Sequence, residues 1–92
     1  MPQVFKVGPY LVFFWLNENE PLEPIHVHIS KGKPERNATK VWLTKAGGCL
    51  LEHNGSHIPD HVLGNIMEII ATRHLFVELR WRSKFGEVKY YC

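Results

Sequence analysis

Apolar residues follow two different spacings on either side of Pro59, and this change limits the fold more than any other feature of the sequence. Before it, residues 25–29 strictly alternate aliphatic side chains with histidines, which is the period of a half-buried β-strand. After it, apolar residues recur three and four positions apart, which is the spacing of a helix that buries one face. Pro59 and Asp60 suit the first turn of that helix, where proline sacrifices no hydrogen bond and a carboxylate complements the positive helix end. We therefore predict a helix over residues 59–72 that turns four residues towards a sheet: Val62, Ile66, Ile69 and Ile70.

The segments before Pro59 predict a small antiparallel sheet. They are rich in β-branched and aromatic residues and are separated by residues typical of turns. Gly47 and Gly48 permit a tight reversal, and the polar segment 17–24 predicts a loop. The sequence thus predicts an α+β fold, with a small antiparallel sheet in the first half followed by helix. The predicted strands are residues 4–7, 10–16, 25–29, 39–44 and 49–52.

Residues 73–85 fit two conformations. Leu75, Val77, Leu79 and Trp81 alternate as they would in a strand, and this pattern slightly favours strand. The same residues also form pairs four positions apart, as in a helix. The last segment, residues 87–91, fits either an edge strand or a tail.

Length and composition indicate one small cytoplasmic domain over residues 1–92. Hydrophobic residues make up 45% of the chain, which is enough to form a core but gives one of only modest stability. Association with a partner or with itself would add to that stability. Two cysteines, Cys49 and Cys92, are too few for a disulfide scaffold, and no apolar run is long enough for a membrane span. We expect no membrane association and no cofactor.

His26 and His28 form the most distinctive local motif. Two imidazoles two positions apart on a strand point to the same side, where they suit metal ligation or general acid–base chemistry. A metal would need at least one more ligand, for which His53, His57 and His61 are the candidates. Histidine also packs well on a half-buried strand face, so a structural or partner-contacting role is the alternative that we favour. We expect no metal.

Basic residues concentrate in two segments, 31–45 and 72–92, which can converge on one face. Lys40 in the first segment is a candidate for holding phosphate. Trp15 and Trp42 are assigned to the core, whereas Trp81 lies among basic residues and is either a core anchor or a contact for a partner or nucleic acid. The predicted binding residues are Lys40, Arg73, Arg80, Trp81, Arg82 and Lys84.

Several motifs together resemble a family of small bacterial proteins, domain of unknown function 4160. The family has a Gly-Pro-Tyr aromatic strand, a short acidic loop and a Pro-Pro-His-x-His-Val core. The corresponding residues here are 7–14, the loop with Pro21 and Pro24, and residues 25–28. The resemblance continues through residues 40–43 and 66–70 to a closing helix with Leu79, Trp81 and Phe85.

The sequence departs from the family pattern in three places. Leu22 and Glu23 separate the usual adjacent prolines, residues 32–36 resemble an insertion, and the chain continues past Phe85. The resemblance implies a compact α+β fold with a C-terminal helical pair, so it favours helix over residues 73–85. It also implies a neighbouring small gene, with which such proteins have been suggested to form toxin–antitoxin modules. No established activity comes with it.

These observations support three functional hypotheses. The first is a small partner-binding protein, one component of a toxin–antitoxin-like or phage-conflict pair. The second is a histidine-based or metal-dependent RNase centred on His26 and His28, with Lys40, Arg80 or Arg82 holding phosphate. The third is a nucleic-acid binder without catalysis.

Overall fold

The computed structural model describes residues 3–16 and 22–92. Five strands form one antiparallel sheet in sequence order, and two helices follow, so the predicted α+β fold is confirmed. Each strand is connected to its neighbour in the sheet, as local hairpins require. The elements are β1 (Gln3–Val7), β2 (Tyr10–Phe13), β3 (His26–Lys31), β4 (Thr39–Leu43), β5 (Cys49–His53), α1 (Asp60–Thr72) and α2 (His74–Phe85).

The predicted reversal at Gly47 and Gly48 connects β4 to β5. The amide of Gly47 donates to the carbonyl of Thr44 at 3.1 Å, and the amide of Thr44 donates to the carbonyl of Gly48 at 2.9 Å. Gly47 has a φ of 96°, a conformation that a side chain disfavours. The glycine therefore allows the chain to reverse within a few residues.

β2 and β3 differ most from their predicted ranges, and each of the other three strands differs by one residue at one end. β2 ends at Phe13 instead of continuing to residue 16, because Phe14 packs edge-on against Trp81 at a ring distance of 5.1 Å while Leu16 is exposed. β3 begins at His26 and extends to Lys31, two residues beyond the predicted end. Most of the predicted loop over residues 17–24 lies outside the described residues.

The core lies between the helices and one face of the sheet. The predicted alternation in β3 is confirmed, because Ile25, Val27 and Ile29 all belong to this core. α1 begins at Asp60, next to the predicted start, and buries Leu63, Ile66 and Ile70. Val62 and Ile69, which were also predicted to face the sheet, are half-buried.

Residues 74–85 form a helix, so the strand-like alternation did not decide the conformation. Val77 and Trp81, four residues apart, are buried on the inner side of α2, where Trp81 packs against Phe85 at 4.4 Å. After α2 the chain is a tail rather than a strand. The amide of Ile25 donates to the carbonyl of Lys89 at 2.8 Å, which holds the tail against the end of the sheet. Within the described residues, no helix has the length and apolar character needed to cross a membrane.

Candidate functional site

The side of the sheet turned away from the helices, here called the far face, carries the His-x-His motif, and the ring of His26, at the start of β3, also contacts Trp81 of α2 at 5.3 Å. Phe13, His28 and Lys40 are direct neighbours across β2, β3 and β4. His26 pairs in the same way with Trp42. Because directly opposite residues in an antiparallel sheet point to the same side, the register brings these side chains together.

Both histidines are packed among aromatic rings. His26 is fully buried and His28 is 8% exposed, and their ring centroids lie 5.0 Å apart. His26 contacts Trp42 at 5.4 Å, and His28 stacks on Phe13 at 5.6 Å. Nδ1 of His26 lies 2.8 Å from the carbonyl oxygen of Pro24. Since a carbonyl only accepts hydrogen bonds, Nδ1 is the protonated nitrogen of this ring.

The structure does not bring the other metal-ligand candidates to this pair. His57 lies in the turn after β5 and His61 in the first turn of α1, and both are exposed. In the part of the chain that the structure describes, no three His, Cys, Asp or Glu side chains are grouped so that they could hold a metal ion.

Lys40 is held in place on the far face by two interactions. Its Nζ lies 2.8 Å from Oε1 of Glu23 and 4.4 Å from the centre of the Trp42 ring. Trp42 in turn donates from Nε1 to Oε1 of Glu52 at 2.8 Å, and its ring stacks on Tyr91 at 4.8 Å. A phosphate that approached Lys40 would compete with the carboxylate of Glu23.

His53 completes a row that sequence analysis did not identify. The register pairs His28 with Lys40 and Lys40 with His53, so two imidazoles flank one ammonium across three strands. Neighbouring strands are about 4.8 Å apart, so the backbones of the two histidines lie about 10 Å from each other. His53 is exposed, and its Nδ1 accepts a hydrogen bond from the amide of Gly55 at 3.2 Å. Only the strand register could have identified this row.

A second candidate surface lies on the outer side of α2. Leu75, Phe76 and Leu79 are 66%, 43% and 57% exposed. Because residues three and four apart lie on the same side of a helix, the three form one apolar strip. We call Leu75, Phe76 and Leu79 the outer strip. The sequence shows these residues as helical pairs but gives no sign that they are exposed.

Two of the predicted basic residues, Arg73 and Arg80, border the outer strip on the side of β1. The guanidinium of Arg73 lies 5.0 Å from the ring centre of Phe5, and Nη2 of Arg80 donates to the carbonyl of Gln3 at 2.7 Å. Arg82 lies 3.7 Å from a carboxylate oxygen of Glu78, and Lys84 is exposed. These cations are on the helix side of the sheet, away from Lys40. Lys40 therefore lies on the opposite side of the sheet from the cations of α2.

Trp81 was predicted as a binding residue, and the structure corrects this. Its side chain is fully buried, with the ring 5.1 Å from Phe14 and 5.3 Å from His26. Nε1 donates to the carbonyl of Glu87 at 3.1 Å, which satisfies the indole in the core. The helix places Trp81 on the inner side of α2 while its basic neighbours remain outside, so it is a core anchor.

Cys49 has the character of a structural cysteine. Its thiol is half-buried and donates to the carbonyl of Met67 at 3.2 Å, and burial raises the pKa of the Cys49 thiol. The thiolate, which is the nucleophilic form, is thereby disfavoured. Cys92 is exposed.

The fold defines a small α+β protein in which a five-stranded antiparallel meander carries two helices on one face and a histidine-containing aromatic cluster on the other. The family model for the domain of unknown function DUF4160 matches residues 10–82, from β2 into α2. The match covers most of the chain, so the protein belongs to this family. No curated protein and no solved structure matches it.

Proposed function

We propose that this protein binds a small protein partner, as one component of a toxin–antitoxin-like or phage-conflict pair. The observation that carries the proposal is the outer strip, because three large apolar side chains side by side on one helix are unusual on a free surface. Fully burying an exposed leucine or phenylalanine is favourable by about 1.5–3 kcal/mol, and part of this free energy, for the fraction of each side chain still exposed, is available to association.

The charges beside the outer strip indicate the chemistry of the partner. Arg80 and Arg82 on α2, with Arg73 and Lys84 at its two ends, are basic, and Glu78 is the only acidic residue of the helix. We expect an apolar groove rimmed by Asp or Glu, into which a helix face docks. The acidic rim would set the association rate and the salt dependence of binding. The assignment to a two-protein module comes from the resemblance of the sequence to proteins with a small neighbouring gene.

The test is binding of the purified protein to the purified product of its neighbouring gene, measured by calorimetry. We expect a one-to-one complex. The double variant Leu75→Lys, Leu79→Lys should weaken binding at least about 100-fold, as expected for truncating central apolar anchors. The matched control is Leu16→Lys, since Leu16 is also exposed, at 54%, but lies outside α2. Its binding should equal that of the wild type.

Two results would contradict the proposal. One is absence of binding to the neighbouring product; the other is equal binding by the double variant when its circular-dichroism spectrum is native. Growth measurements address the pairing. Cells in which the protein is induced alone should be compared with cells in which it is induced together with its neighbour. Growth should arrest in one of these two conditions and recover in the other.

The row of His28, Lys40 and His53 favours a second candidate, binding or cleavage of RNA at the far face. Imidazole side chains can act as general base and general acid, and an ammonium between them can neutralise phosphate charge. Trp15, which is partly exposed beside His28, offers a ring on which a base can stack.

A fluorogenic single-stranded RNA tests this candidate, with EDTA added to separate histidine-based from metal-dependent cleavage. His53→Ala should abolish cleavage, whereas His57→Ala, which changes another exposed histidine, should not. RNA binding without cleavage, lost on Lys40→Ala, would indicate a non-catalytic binder. Cleavage that survives both His53→Ala and His28→Ala would exclude the row.

A further inference from the structure

The tail after α2 is attached firmly to the domain up to Tyr90. The amide of Ile25 donates to the carbonyl of Lys89 at 2.8 Å, which attaches the tail to the end of the sheet. The hydroxyl of Tyr90 donates to Glu78, and the ring of Tyr90 stacks on His74, so this residue is attached to α2. The first part of the tail is therefore anchored on both the sheet and the helix.

Tyr91, the next residue, is attached more loosely and lies over Trp42. Its ring is parallel to the indole, with an interplanar angle of 7° and a ring distance of 4.8 Å. Beyond it, the amide of Lys45 donates to the carbonyl of Cys92 at 2.9 Å. The side chain of Tyr91 is 58% exposed. Because more than half of it is in solvent, the tyrosine can leave the indole by a side-chain rotation that breaks none of the contacts of Tyr90.

The indole of Trp42 is held in its orientation independently of Tyr91. Its Nε1 donates to Oε1 of Glu52 at 2.8 Å, and the ring of His26 lies edge-on at 5.4 Å. Nζ of Lys40 lies 4.4 Å from the centre of the indole, so a positive charge is beside it. Since Tyr91 lies at the surface, its departure uncovers an indole face that is already oriented.

We propose that Trp42 is a stacking site for an unpaired base of RNA, and that Tyr91 covers this site in the free protein. A parallel ring at this distance is the arrangement in which a base stacks on an aromatic side chain. Every base has a flat π face, so the site accepts any base, and the ammonium of Lys40 attracts the phosphate backbone. The site lies on the far face and therefore rests on the second candidate function, RNA binding there.

Tyr91 and the base compete for one face of the indole. The apparent affinity for RNA is therefore lowered to the extent that the tyrosine occupies this face, because only the uncovered fraction of the protein can stack a base. Removing the ring of Tyr91 should strengthen RNA binding, whereas removing an ordinary surface tyrosine should leave it unchanged.

Fluorescence anisotropy with a labelled single-stranded oligoadenylate tests this competition. Tyr91→Ala removes the ring but keeps the length and charge of the tail. We expect it to bind at least about fivefold more tightly than the wild type, which is the lower limit for the contribution of one stacked base. Tyr91→Phe keeps the ring and is the matched control, so its affinity should equal that of the wild type. Both variants should have native circular-dichroism spectra.

Nuclear magnetic resonance locates the stacked base. The indole N–H signal of Trp42 should shift when oligoadenylate is added to Tyr91→Ala, whereas that of Trp81, which is fully buried, should not. A measurement on the wild type needs no variant. Saturating oligoadenylate should displace Tyr91 and thereby remove the nuclear Overhauser contacts between its ring and the indole of Trp42.

The possible results separate the role of Tyr91 from RNA binding itself. Equal binding by the wild type and Tyr91→Ala would overturn the competition and leave RNA binding at the far face intact. Absence of binding by the wild type and by both variants would overturn the stacking site and the second candidate function together. Tighter binding by Tyr91→Ala without a shift of the Trp42 signal would place the base elsewhere and also overturn the proposal.

Discussion

The two helices use their apolar residues in opposite ways. α1 buries Leu63, Ile66 and Ile70 against the sheet and presents polar residues such as Asn65 and Glu68 outward. α2 buries only Val77 and Trp81 and exposes the outer strip. α1 therefore has the one-sided pattern of a helix whose only neighbour is its own domain. α2 is apolar on two sides, and only one of these is used within the monomer.

Under the proposed partner binding, this difference separates the residues that folding requires from those that binding would require. The fold needs one face of α2, and a helix selected for folding alone would carry charged or small polar residues on the other. Leucines at two neighbouring outer positions do not stabilise the monomer. The comparison is therefore the main physical argument for a partner, and the predictions below test it from the largest expected effect to the smallest.

Trp81→Ala should have the largest effect on stability. The indole is fully buried between Phe14 and Phe85 and donates a hydrogen bond, so its loss leaves a large cavity. We expect the free energy of unfolding to fall by about 3–5 kcal/mol, measured by urea titration. Leu75→Ala, on the opposite side of the same helix, should change it by less than about 0.5 kcal/mol. Equal effects at the two positions would remove the distinction between the two faces of α2.

Ile66→Ala applies the same comparison to α1. Ile66 is 1% exposed within the main core, and we expect a loss of about 2–5 kcal/mol in urea unfolding. Its control is Glu68→Ala on the outer side of α1, with a change of less than about 0.5 kcal/mol. A near-neutral Ile66→Ala would show that α1 is not the helix that holds the core.

Reversing the charges of Arg80 and Arg82 to Glu should affect binding much more than stability. Arg82 forms only a surface pair with Glu78, and such pairs contribute at most about 1 kcal/mol. The hydrogen bond of Arg80 to Gln3 is also at the surface. We expect a nearly unchanged melting temperature and native circular dichroism, with capture of an acidic partner or of RNA weakened. Raising the salt concentration should weaken wild-type capture in the same direction.

Lys89→Glu is a matched control for the charge, because Lys89 is equally basic but lies in the tail, with its side chain 61% exposed. Capture by this variant should match the wild type. If the Arg80 and Arg82 reversal leaves capture unchanged, the basic residues of α2 are an ordinary solvated surface. The far face with His26 and His28 then becomes the better candidate.

The sequence predicted α1 and the sheet more successfully than α2. α1 has apolar residues on one side and a proline at its start, so the spacing and the start signal both indicate a helix. The predicted range, residues 59–72, begins one residue before the observed start at Asp60. α2 has apolar residues on two sides, and a two-sided pattern fits a strand as well as a helix. Only the family resemblance favoured helix there. The same ambiguity led to Trp81 being placed on the binding surface, because the sequence does not say which apolar side meets the core.

The sequence predicted that both histidines point to the far face, but it did not predict which residues contact each other around them. The alternation in β3 placed His26 and His28 on one side, as observed. The pairing of Lys40 with Glu23 and that of Trp42 with Glu52 join residues that are 17 and 10 positions apart. Such contacts depend on strand register, and the irregular pairing between Lys40 and Val41 shifts that register by one residue. No periodicity in the sequence reports such a shift.

The smallest expected effect concerns the inner side of α2, where the tail packs. The hydroxyl of Tyr90 donates to Glu78, and the ring of Tyr90 stacks on His74 at 6.0 Å. Burial, together with the hydrogen bond and the negative charge of Glu78, raises the pKa of Tyr90 from its ordinary value of 10 to about 12. The folded state therefore holds this proton more tightly than the unfolded state does.

The stabilisation from Tyr90 should be complete below pH 10 and should be lost as the pH rises from about 10 to about 12, because in that range only the unfolded state releases the proton. We expect the melting temperature of the wild type to fall more steeply over this range than that of Tyr90→Phe. All other titrating groups are common to the two proteins, so the difference between the slopes isolates Tyr90. Parallel slopes would show that the contact between Tyr90 and Glu78 does not fix the tail to α2. The inner side of the helix would then be less well covered by the tail than the structure indicates, and the contrast with the exposed outer strip would be weaker.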